Sequence, residues 1–195
     1  MPGTCLGATG DGREVHHCAS ECDHLRRRAH HEMRHERNQC FYCSADQQVY
    51  YSNLLPEALP TVRKNKWTAD IVMAHEFGHA LQGRTGILVS SHALGQEAGD
   101  KATELQFSRR LETQADCFSG MFIRAVSQSI GVQQQDEDGI LNIYVAIGDD
   151  KLSGKPDIVG NHGLAQSRKY WGTTGLRNSA VDACNTFVVP PNLVR

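Results

Sequence analysis

Residues 72–82, VMAHEFGHALQ, place two histidines and a glutamate in a stretch that is otherwise largely apolar. Thr68 as N-cap, Asp70 in the first turn and Gly83 as a stop signal predict a helix over about 69–82. Ile71, Val72, Met73, Ala74 and Phe77 cover nearly every side of it, so this helix belongs inside the fold. His75 and His79 lie one turn apart on a shared face, and Glu76 sits about 100° round the axis. Two buried imidazoles on one face need a partner, and a metal ion meets that need best. Gly78, between them, is a poor helix former placed where a small residue admits another backbone or a substrate.

The spacing His-Glu-x-x-His suits zinc, with the glutamate able to hold a water without ligating the ion. A catalytic zinc has three protein ligands and one open position, so a second element has to supply the third. A helix predicted over about 101–129 offers it, with Leu111, Ala115, Phe118, Phe122 and Val126 as its apolar face. Glu112 and Asp116 are four apart on that helix. Glu112 is expected to ligate while Asp116 accepts the far N–H of a ligand histidine and fixes its tautomer. The competing reading is a solvated acidic face with Glu112 paired to Arg109. Repulsion between the two carboxylates, and the apolar Ala115 and Phe118 beside them, favour the ligand reading.

The rest of the chain divides near residue 40. Before Phe41 there is no Phe, Tyr, Trp or Ile, yet this part holds six of the ten histidines and four of the seven cysteines. Such a composition does not bury enough surface to offset its ordering entropy. Residues 1–40 are therefore expected to be disordered, or not the segment that the domain evolved with, as after an altered start or a shifted reading frame. Cys18, Cys22, Cys40 and Cys43, with His16, His17 and His24 nearby, also approximate a two-knuckle zinc module, although apolar packing for one is missing.

From Phe41 onward the chain reads as an α+β, mostly helical domain over 41–195. A strand is predicted at 48–52, and Pro56 and Pro60 break the segment after it. Further helices are predicted at about 137–147, with Ile140, Tyr144 and Ile147 on one side, and at about 162–171. Glycines mark loops at 148–163 and 172–175, so Asp149 and Asp150 read by default as solvated, and His92 reads as a surface residue. The formal charge of −2 gives no strong attraction to nucleic acid or to an anionic membrane. No apolar run approaches the roughly 20 residues of a membrane helix, and the first residues show no secretory signal.

HEFGHALQ, ETQADCFSG, AIGDD, NHG followed by Arg168 and Trp171, and ACNTF occur here in one order. Together with FYCSADQQVYY they resemble the bacterial neutral zinc metallopeptidases, over about residues 41–187. That resemblance implies a zincin-like domain with a small sheet beside the active-site helix. It implies one catalytic zinc on His75, His79 and Glu112, with Glu76 as general base. Cys117 and Cys184 have counterparts in the family, which makes a disulfide between them an expectation, the alternative being two buried free thiols. His162, by motif position, is the expected hydrogen-bond donor to the reaction's oxyanion, against the simpler reading of a helix-capping loop histidine.

Members of that family are usually membrane-anchored, which implies a cell-envelope or extracellular location and a peptide or protein substrate. Their usual membrane segment, linker and Gly-Cys-Gly stretch have no counterpart in residues 1–40, so part of the natural domain is expected to be missing. After the histidine of NHG this chain has LAQSR, where members tend to carry Ser or Thr and then Gln. The expected chemistry is hydrolysis of a peptide bond by a zinc-activated water. The rival expectation is a metal-stabilised scaffold or binding module without turnover.

Overall fold

The computed structural model describes residues 40–158 and 160–195. The chain opens with an antiparallel hairpin, β1 (Cys40–Cys43) and β2 (Gln48–Tyr51), with Phe41 opposite Tyr50 and Tyr42 opposite Val49. The Phe41 and Tyr50 rings stack at 5.1 Å, the sort of cross-strand pair that stabilises so short a sheet. Its corner is held by Asp46, whose carboxylate accepts the Gln48 N–H. Only the second strand is legible from β propensity alone.

A short helix α1 (Leu55–Ala58) carries a proline in its first turn, where no intrahelical N–H is required. The histidine-bearing helix α2 runs Thr68–Arg84, two residues longer at its end than expected. Thr68 is not its N-cap: Trp67 occupies that position, and the Thr68 hydroxyl donates to the Val62 carbonyl at 2.8 Å. Gly83 is not its stop either. It lies within the last turn against Tyr42, and the left-handed residue that turns the chain is Gly86 (φ 80°).

Helix α3 (Ile87–Glu97) has no counterpart among the predicted elements. It packs on its neighbour through Ser91 and Gly95, its buried residues, so it lacks the apolar period that announces a helix. Helix α4 (Lys101–Ile130) matches its predicted span, with the Asp100 carboxylate accepting the Thr103 N–H at its start. Its inward side differs from the expected stripe, however. Phe122 is 51% exposed and Ile123 is buried in its place, alongside the polar Thr113, Gln114, Asp116 and Ser119. A helix enclosed by neighbours on several sides buries more than one stripe.

Helix α5 (Glu137–Ala146) buries Ile140 and Tyr144 as predicted. The glycine-marked segment after it contains a further short helix, α6 (Asp149–Ser153). Helix α7 (Ala165–Arg177) continues straight through 172–175, so the glycines there do not make the expected loop. Gly172 and Gly175 lie instead where helices meet: any Cβ at Gly175 would collide with the Cys117 carbonyl of α4, and one at Gly172 with the Tyr144 ring. Gly175 lets α7 and α4 touch backbone to backbone, and Gly172 makes room for the Tyr144 ring of α5.

One apolar core joins α1, α2, α4 and α5 around Ile71, Ile123, Ile140, Ile143 and Tyr144. Burying each such aliphatic side chain contributes about 1.5–3 kcal/mol. A second, smaller cluster of Cys117, Trp171, Cys184 and Val194 fastens the C-terminal segment to α4 and α7. There a Cys117–Cys184 disulfide is formed, so the free-thiol alternative does not hold. Arg110 adds hydrogen bonds to the carbonyls of Thr186 and Val189. Among the described residues no helix is long and apolar enough to cross a membrane.

Candidate metal centre

Helices α2 and α4 approach closely because of Gly78, where a Cβ would lie 3.0 Å from the Ala115 Cα. The small residue between the histidines thus admits another backbone, and that backbone presents Glu112 and Asp116. The two imidazoles meet edge to face, with His75 Nε2 and His79 Nε2 3.1 Å apart. Glu112 closes the group, its carboxylate oxygens 3.2 Å from His75 Nε2 and 3.5 Å from His79 Nε2. One donor atom from each of these three residues lies within 4.8 Å of the others.

The far nitrogens are equally defined. His75 Nδ1 is 2.8 Å from Asp116 Oδ1, in keeping with the spacing of Glu112 and Asp116. His79 Nδ1 is 2.8 Å from Gln82 Oε1. Gln82 Nε2 donates to the Leu111 carbonyl and to Gln114 Oε1, which fixes the orientation of the Gln82 amide. Both Nδ1 atoms therefore carry the proton that meets these acceptors, and in the neutral rings both Nε2 lone pairs point at one spot. Two lone pairs and a carboxylate converging there repel one another unless a cation sits among them. The donor set, two imidazole nitrogens and one carboxylate with oriented outer partners, fits zinc.

Charge follows the same logic. Burial disfavours charge on His75, but the Asp116 carboxylate outweighs it and raises the imidazole to about 10. Burial likewise opposes charge on His79, and Glu112 reverses the balance and raises it. Glu112 itself, despite burial, is held well below the usual carboxylate range by the two histidines. A proton and a metal ion are thus alternative ways to compensate Glu112. Asp116, fully buried, is lowered because Arg168 and His75 together outweigh its desolvation. Arg168 Nε and Nη2 grip both its oxygens at 2.8 and 2.9 Å, and Nη1 donates to the Ile147 carbonyl.

Glu76 points from the same helix into the cleft and is raised mainly by burial. Its Oε2 accepts the Tyr42 backbone N–H at 2.8 Å. The cleft measures about 630 Å³ and is walled by β1, α1, α2, α3 and α4, with His162 and Arg168 on its remaining side. His162 Nδ1 lies 3.1 Å from Asp149 Oδ1, while its side chain stays 44% exposed.

Asp149 is not a solvated loop residue. It is buried, and its Oδ2 also accepts the N–H groups of His162 and Gly163, while Asp150 accepts the Ala165 N–H at the start of α7. The capping function considered for His162 thus falls to Asp150. Arg109, considered as a partner for Glu112, instead donates to the carbonyls of Gly160 and Val194. His92 is exposed, as read, but on the rim of the cleft. Cys40 is a half-buried free thiol that burial, with Glu76 nearby, pushes up to about 12. Cys18, Cys22, His16, His17 and His24 of the two-knuckle reading lie outside the described residues.

Residues 34–187 match the family described as "putative neutral zinc metallopeptidase". The chain belongs to this family. Relatives include YpfJ of Escherichia coli K12, 35% identical over an alignment 159 positions long that covers 75% of this chain and 53% of YpfJ. Rv2575 of Mycobacterium tuberculosis H37Rv is 28% identical over an alignment 165 positions long that covers 75% of this chain and 54% of that protein. The chain spans about half the length of the curated relatives it matches. No solved structure matches it significantly.

Sequence reasoning missed Gln82, Gln114, Asp149 and the Tyr42 main chain. Gln82 had a readable signal: three residues after His79, it shares that histidine's side of the helix.

Proposed function

We propose that this domain is a zinc-dependent peptidase of zincin type, with His75, His79 and Glu112 as the metal ligands. The observation that carries the reading is the convergence of both Nε2 atoms on Glu112, with both Nδ1 atoms already committed to acceptors. Zinc held by these three residues would supply a Lewis acid and would lower the pKa of a water to about 7.

The protein's own groups do the rest. Glu76 takes a proton from the attacking water at its Oε1, since Oε2 is engaged by the Tyr42 N–H, and then returns it to the leaving amine. Asp116 and Gln82 keep the two histidines in the ligating tautomer. Arg168 keeps Asp116 ionised in its buried position. His162, on the cleft wall with its imidazole held by Asp149, is the side chain placed to serve the oxyanion. An open cleft of this size takes an extended chain segment rather than a folded domain. The Cys117–Cys184 disulfide supports an oxidising location, the cell envelope or outside.

The test is metal content together with turnover. Protein loaded with zinc and dialysed should hold about one ion per chain, lose it on His79→Ala, and cleave an unfolded protein substrate. Tight zinc without cleavage of any unfolded substrate would instead identify a metal-stabilised scaffold.

A further inference from the structure

Tyr42 of strand β1 meets α2 at two points, beside the contact of the Cys40 thiol with Met73. Its N–H leaves the hairpin and donates to Glu76 Oε2 at 2.8 Å. Its ring rests on Gly83, where a Cβ would lie 3.0 Å from the tyrosine hydroxyl oxygen and 3.1 Å from Cε1. Glu76 and Gly83 are seven residues apart, two turns along one face of the helix, so strand and helix meet in one register. Gly83 is unsuited to a helix interior by propensity and has a negative φ. What it provides is a notch that receives the ring.

We propose that Tyr42 is a positioning residue for Glu76, and that the Gly83 notch sets the height at which it does so. The idea rests on the peptidase reading of Glu76. A carboxylate on a flexible side chain can present either oxygen at many angles. Fixing Oε2 on a main-chain N–H leaves Oε1 as the proton acceptor and fixes its direction toward the cleft. Because the N–H belongs to the backbone, the hairpin pairing and the tyrosine ring in its notch together set where that donor stands.

Gly83→Ala is the discriminating variant. It improves helix propensity while its methyl group forces the Tyr42 ring away. Loss of alignment of about 1 Å at a reacting group costs on the order of 100-fold in rate. The expected result is a kcat lower by about 10- to 100-fold, with KM and zinc stoichiometry unchanged. In a Tyr42→Ala background the same substitution should cost nothing further, because the ring that it displaces is gone. Amide hydrogen exchange supplies a readout that needs no turnover: the Tyr42 N–H should be protected in the parent and exchange faster in Glu76→Ala and in Gly83→Ala. Unchanged kcat in Gly83→Ala, an equal loss in both backgrounds, or Tyr42 exchange indifferent to Glu76→Ala would each overturn the proposal. A parent without peptide hydrolysis counts against the peptidase instead, and the exchange measurement then decides the Tyr42–Glu76 tie by itself.

Discussion

Gln82 Oε1 accepts the Nδ1 proton of His79 at 2.8 Å, and the amide that provides it is wholly buried. It belongs to a chain of hydrogen bonds that passes through Gln114 to the Cys184 carbonyl. The position of one proposed zinc ligand is thereby tied to the C-terminal segment.

Gln82→Leu keeps a similar volume and removes the acceptor. Loss of such an outer partner costs about 10- to 100-fold in metal affinity. Zinc competition against a chelator should show a loss in that range, with about one ion still bound at saturation. Unchanged affinity would remove Gln82 from the site.

Asp116→Asn leaves Arg168 buried beside a neutral amide. Breaking a buried pair in this way costs about 3–5 kcal/mol. Chemical denaturation should report a loss of about that size even with the zinc chelated, because the Arg168 contact does not depend on the ion. A loss below about 1 kcal/mol, the worth of an exposed pair, would mean that Arg168 finds other partners or water.

Asp149 predicts a pH dependence. Burial acts to raise its pKa, but the His162 side chain and the Gly163 and His162 N–H groups outweigh it, so the carboxyl lies below its ordinary 3.8 in the fold. A lowered pKa means stability that is complete above about 3.8 and lost as pH falls through the folded value. Asp149→Asn should therefore unfold more easily than the parent at pH 7, by about 2 kcal/mol as for hydrogen bonds to a charged group. That gap should narrow below pH 3.8. A gap constant with pH would show that the charge plays no part.

His75, Glu76 and His79 were legible because a single helical turn fixes their relation, and no tertiary knowledge is needed to see it. Glu112 and Asp116 were legible from their mutual spacing beside apolar neighbours, and the structure brings both against α2. Other parts of the fold escaped for a shared reason. Helix α3 packs through the small Ser91 and Gly95, and α7 continues through the close contacts at Gly172 and Gly175, so these contacts rest on small or missing side chains. Apolar periodicity registers only the side chains that are present. Asp149 escaped because an aspartate among glycines looks solvated until the chain folds three amide and imidazole donors onto it. The Tyr42 contact to Glu76 uses a main-chain group, which no residue type announces.

The most direct measurement is Glu76→Gln, assayed in parallel for zinc content and for hydrolysis of an unfolded protein. Glutamine can still accept the Tyr42 N–H but cannot take a proton from water. The account predicts about one zinc per chain, as in the parent, with kcat lower by about 100-fold or more. Hydrolysis at the parental rate with zinc in place would contradict it.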